Sequence, residues 1–152
     1  MKKFIYLAII AMALTACTGK KVENGHWASD EYKIYNVIPS YYFLDVKDNQ
    51  VTQSVYIKDP NDPASTMYTI WQGKVEERTE SERGIEILVR YNEVKHFRKD
   101  TVIEPKDVST EDKVAKYLIA NDTLHSMRMN VTFTKCRNIP TSEDYLSGKF
   151  SK

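Results

Sequence analysis

The chain is poor in the residues that would give the simplest account of its chemistry. It has two cysteines in 152 residues, too few for the disulfide framework that staples small secreted domains. Five glycines and five prolines exclude a low-complexity or loop-dominated chain. There is no Gly-x-Ser-x-Gly and no phosphate-cradling glycine loop. The three histidines, His26, His96 and His125, show no His-x-His or Cys-x-x-Cys spacing, so no metal or cofactor is expected. Charge of one sign is lacking as well. Against 21 acidic residues stand 22 basic ones, and a net +1 offers no basic excess for nucleic acid. The longest apolar run, Phe4 to Leu14, is about half the roughly twenty residues that a bilayer-spanning helix needs.

What that run does is legible from its flanks. Lys2 and Lys3 precede it, and Leu14-Thr15-Ala16-Cys17 follows: a charged region, an apolar segment and small residues at a cleavage point. The segment resembles the bacterial lipoprotein signal, whose lipobox reads Leu-small-small-Cys. The resemblance implies that residues 1–16 are removed and that Cys17 carries acyl chains, several of which hold a protein on a membrane where one alone binds marginally. Residues 17–24 are then a lipidated tether. Thr18 in place of Asp favours the outer membrane under the sorting rule that the resemblance carries. Removing residues 1–16 takes away two lysines and no acid, which turns +1 into −1. Cys136 is then alone, and beside Thr132-Phe133-Thr134 it reads as a strand residue rather than a nucleophile.

Ten tyrosines and five phenylalanines suit strands, and period-two runs agree. In "GIEILVRY" Ile85, Ile87, Val89 and Tyr91 share a face. In "YYFLDVKDNQVTQSVYIK" the alternating strand turns at Asp48-Asn49-Gln50 and returns through Val51, Val55 and Ile57. "MYTIWQGKVEE" follows, with Gly73 at a bulge position; "VKHFRKDTVIE" and "VTFTKC" are further strands. Residues 109–121 can be read two ways. Ser109 and Asp112 have capping-box spacing before helical Val114, Tyr117 and Leu118; alternatively strand "VAKYLIA", an Asn121-Asp122 turn and strand "TLHSMRM" form a hairpin, the favoured reading. The tail, 139–152, allows one short helix at "SEDYL". Seven or eight antiparallel strands in about 110 residues leave exposed edges unless the sheet closes. The fold class expected is all-β, a small up-and-down antiparallel barrel of about eight strands.

Gly25-His26-Trp27 at the start of the folded part resembles the Gly-x-Trp opening of lipocalin-like barrels, and "YLIANDTLHSMRMNVTFTKCR" resembles the closing strands of small bacterial members. The resemblance covers residues 25 to 137, in a barrel domain drawn at 25–138. It implies that Trp27 closes the barrel base beside Gly25, with Arg137, or Lys135 after it, over the indole ring. The family's disulfide and middle motif are missing, so its ligand binding does not carry over residue by residue.

Candidate chemistry is sparse. "DPNDPAST" lacks the glycine and terminal glutamate of a calcium loop and reads as a turn. Glu76 and Glu77 lie in the charge run "KVEERTESER", which suits a solvated hairpin end. An enzyme is not expected. The expected function is non-covalent binding of a small apolar or amphipathic ligand by an interior that includes Tyr42, Leu44, Tyr68, Ile70, Ile87 and Val89. The alternative is a filled barrel that works by binding another envelope protein. The membrane partner in either case is reached through Cys17.

Overall fold

The computed structural model describes residues 22–34, 38–59, 61–103 and 113–147. Residues 1–21, on which the expected signal segment, Cys17 and most of the expected tether fall, residues 104–112 and the tail beyond 147 lie outside the described residues.

Ten strands and one helix are present among the described residues: β1 (Gly25–Ser29), β2 (Tyr32–Ile34), β3 (Ile38–Lys47), β4 (Gln50–Asp59), β5 (Asp62–Ser81), β6 (Gly84–Arg98), β7 (Thr101–Ile103), β8 (Val114–Ala120), β9 (Thr123–Ser126), β10 (Val131–Cys136) and α1 (Ser142–Ser147). Each strand is antiparallel to its neighbours. β1 pairs on one side with β10 (Trp27 opposite Lys135) and on the other with β3 (Trp27 opposite Leu44), so the sheet closes. The ring β1-β10-β9-β8-β6-β5-β4-β3 is the expected all-β up-and-down barrel of eight strands. β2 and β7 are short additions on β3 and β6.

Scarce glycine does not prevent tight turns, because Asn and Asp take the left-handed conformation in its place. Asp48 and Asn49 have φ of 51° and 64° between β3 and β4; Asn121 has φ 54° between β8 and β9. The β8–β9 hairpin settles the ambiguous stretch from Val114 onward as strand. Two glycines matter for another reason. A Cβ on Gly73 would lie 2.2 Å from the Arg90 carbonyl oxygen, and β5 shifts register against β6 at that point. One on Gly84 would lie 2.3 Å from the Ile119 oxygen.

Alternation gives the barrel two apolar faces. Inward go Trp27, Leu44, Val46, Val51, Ile87, Val89, Leu124 and Phe133, which form the packed core. Val22, just before β1, is 3% exposed in the same core, and its amide donates to Asn49 Oδ1 at 3.1 Å. Val22 therefore plugs the barrel at the β3–β4 turn, and this end is called the base. Outward go Ala28, Phe43 and Tyr56, covered by Tyr145 of α1. The helix is fixed by a reciprocal cap: Thr141 Oγ1 accepts the Asp144 amide at 3.1 Å, and Asp144 Oδ2 accepts the Thr141 amide at 3.1 Å. Tyr56 O–H donates to the Pro140 carbonyl at 3.2 Å beneath it.

Candidate ligand cavity

The core does not fill the barrel to its far end. Above Leu44 and Val89 lies an open cup of about 280 Å³. Its walls include Tyr42 of β3, Val55 of β4, Trp71 of β5 and Ala115 of β8; Met129 and Arg128 of the β9–β10 turn stand at its mouth. Gln53 and Tyr91 form its floor. The packed base and the cup lie at different levels of β3: Val46, near its end, shares the core with Val22, and Tyr42, in mid-strand, lines the cup.

Gln53 breaks an apolar face on purpose-built neighbours. Val51 and Val55 flank it at the inward positions of β4, and it is only 7% exposed. Its Oε1 accepts from Tyr117 O–H at 2.6 Å and lies 3.1 Å from Tyr91 O–H, while the two hydroxyl oxygens are 2.7 Å apart. Two hydroxyl protons must serve three contacts. The distances order them: Tyr91 donates mainly to the Tyr117 oxygen, and Tyr117 donates to Oε1, a relay in which each bond polarises the next. Burial pushes both tyrosine hydroxyls far above their ordinary range. Both therefore remain neutral donors at any physiological pH. Trp71 packs edge-on to Tyr91 with centroids 5.9 Å apart, holding the ring from the mouth side.

No family model matches this chain, and no curated protein or solved structure does either. Its site must be read from its own residues.

Of the six residues expected inside, Tyr42 lines the cup, whereas Leu44, Ile87 and Val89 belong to the packed core below it. Tyr68 and Ile70 are corrected: they face outward. Tyr68 stacks on Tyr56 and on Phe97, at 5.3 and 4.5 Å, in the outer aromatic layer. Trp71 lies inside, and strand alternation then places Ile70 outside. "MYTIW" carries large apolar residues at both parities, so its pattern could not choose the inward set. The barrel-closure expectation also changes in one partner. Trp27 is buried against Gly25, where a Cβ would meet the indole at 3.1 Å. The basic side chain at that corner is Lys135, whose Cε is 3.4 Å from the same point and whose head pairs with Glu23; Arg137 is exposed beyond β10.

Sequence reasoning missed Gln53, Trp71, Tyr91 and Tyr117 as a site. One signal was present: in "VTQSV" a glutamine stands at the inward position between two valines, and a buried polar group needs partners. The histidines do not converge. His26 pairs with Asp45 at 2.9 Å, His96 with Thr69 at 2.8 Å and His125 with Thr132 at 3.0 Å, and no metal-ligating cluster occurs among the described residues. Cys136 is half-buried beside the outer aromatic layer, and burial raises its thiol pKa, the opposite of an activated nucleophile.

Proposed function

We propose that this protein is a lipid-anchored cell-envelope lipoprotein that binds a small apolar or amphipathic ligand in its barrel, without catalysis. The observation that carries the reading is the cup itself: apolar and aromatic walls, one open end and a few convergent polar groups at the floor, the usual anatomy of a small-molecule site. Native mass spectrometry of the protein isolated from its own envelope tests it. A co-purifying small mass that is lost on denaturation is expected. Repeated isolation of the apo mass alone, with no mass gained from an envelope lipid extract, would overturn the binding reading.

The anchor is proposed on Cys17, five residues before the Val22 plug, with the outer membrane as its location. An extended chain advances about 3.4 Å per residue, so the tether would hold the base within roughly 17 Å of the lipid headgroups. Cys17→Ser is expected to move the protein from the membrane fraction to the soluble envelope fraction. Retention in the membrane would refute the anchor.

A second reading, action through an envelope protein partner, is favoured by β7, where Val102 and Ile103 are 55% and 42% exposed. Cross-linking in the native envelope to a residue of β7 discriminates the two: a single defined adduct supports the partner, and none supports the ligand.

A further inference from the structure

We infer that the ligand enters this cavity with a neutral hydrogen-bond acceptor leading, a ketone, ester or amide carbonyl, and that the Gln53 side-chain amide holds it. The inference rests on the cavity being a binding site and says what that site selects.

Three observations lead to it. The first fixes which way the Gln53 amide points. Its contact with the Tyr117 oxygen is 2.6 Å, inside the range of O–H···O bonds and shorter than N–H···O bonds usually are. The atom facing the tyrosines is therefore Oε1, and Nε2 is the atom turned from them. The second is that Nε2 finds no acceptor among the described residues, although Gln53 is 7% exposed and lines the cup. The two amide hydrogens open onto the cup rather than onto protein, and a ligand that excludes water from them must supply an acceptor in its place. The third concerns the tyrosines. Their protons are committed to the relay toward Oε1, so the amide is the donor that the Gln53–Tyr91–Tyr117 cluster can extend to a ligand.

Charge argues for a neutral acceptor. The cation lining the cavity, Arg128, is exposed in the β9–β10 turn, while the floor is built of the Gln53 amide and the Tyr91 phenol, both neutral. A carboxylate driven down to Gln53 would exchange water for a neutral amide, at a large desolvation cost. Size narrows the class further. An apolar cavity of about 150 Å³ accepts one benzene, and this cup is nearly twice that at about 280 Å³. A fused bicyclic or a branched short chain bearing one carbonyl fits inside it; a longer chain would have to project through the open mouth.

The test uses the purified full chain and a matched pair of bicyclic probes, tetralone, which has a ketone, and tetralin, which lacks it. Calorimetric titration is expected to show tetralone binding about tenfold tighter, the effect of one additional buried hydrogen bond. In Gln53→Met, of similar volume, the two affinities should come within about twofold. A second measurement does not depend on a variant folding. In the wild-type chain labelled with nitrogen-15, the Gln53 side-chain amide resonances should shift with tetralone and stay in place with tetralin. Equal affinities in the wild type, or a preference that survives Gln53→Met, would overturn the acceptor assignment and leave the binding cavity intact. Naphthoate binding more tightly than tetralone would overturn the neutrality of the leading group. If neither tetralone nor tetralin binds, the inference fails, and the native mass measurement separately decides whether the cavity binds anything.

Discussion

The Tyr117 hydroxyl lies 2.6 Å from Gln53 Oε1, 64 residues away in sequence, at the level where the packed core gives way to the cup. This bond and the neighbouring Tyr91 hydroxyl form one network, and its members should not contribute independently. Tyr117→Phe removes the central oxygen and is expected to destabilise the fold by about 1–2 kcal/mol. Tyr91→Phe leaves the Tyr117–Gln53 bond in place and should cost less. The double variant should depart from the sum of the singles by at least about 0.5 kcal/mol, as coupled neighbours do. Urea denaturation midpoints of the three variants check this; strict additivity would dissolve the network.

Alkaline pH should loosen the fold in a defined window. Burial, and then the hydrogen bond to Asp100, pushes the Tyr68 hydroxyl up to about 12; burial, and then Tyr41 and Glu31, does the same for Tyr145. Unfolded tyrosine ionises near pH 10. Between about 10 and 12 the folded chain therefore keeps protons that the unfolded chain has released, so stability falls as pH rises. The contribution is complete below pH 10 and gone above about 12. Thermal denaturation from pH 8 to 12 should show this slope, and Tyr68→Phe should make it shallower.

Gly73→Ala probes the close approach of β5 to β6. The added Cβ would meet backbone, the Arg90 carbonyl oxygen at 2.2 Å, rather than a side chain that could turn away. A loss of roughly 3 kcal/mol or more is expected, at the upper end for overpacking. Recovery of wild-type stability would mean that the two strands can part there without cost.

Tyr145→Ala should strip the helix from the barrel while leaving the barrel closed. Tyr145 packs 5.6 Å from Tyr41 and 5.4 Å from Tyr56, over the outer face rather than in the cup. A cost of about 3 kcal/mol, in the range for truncating a buried aromatic, is expected. Hydrophobic dye binding should rise as Phe43 and Tyr56 are uncovered. Tetralone affinity, set on the other face of β4, should stay within about twofold.

Local chemistry alone was enough to specify much of this protein. Period-two alternation marked Ile85, Ile87, Val89 and Tyr91 as one face; all four belong to or pack against the core. Asp48-Asn49 and Asn121 marked their turns because short polar side chains tolerate the left-handed backbone. The two exposed edges that an open sheet would leave implied closure. Those properties depend on a residue and its near neighbours. Face assignment in β5 depended on more. With large apolar groups at both parities in "MYTIW", the choice fell to the register with β4, which sets Trp71 opposite the inward Gln53 and Tyr68 opposite the outward Tyr56. The floor of the cup was decided later still. Gln53, Tyr91 and Tyr117 come from three strands, and only barrel closure brings an amide oxygen and two phenols within 3.1 Å. A strand pattern can say that a glutamine points inward; which groups meet it there is a property of the closed sheet.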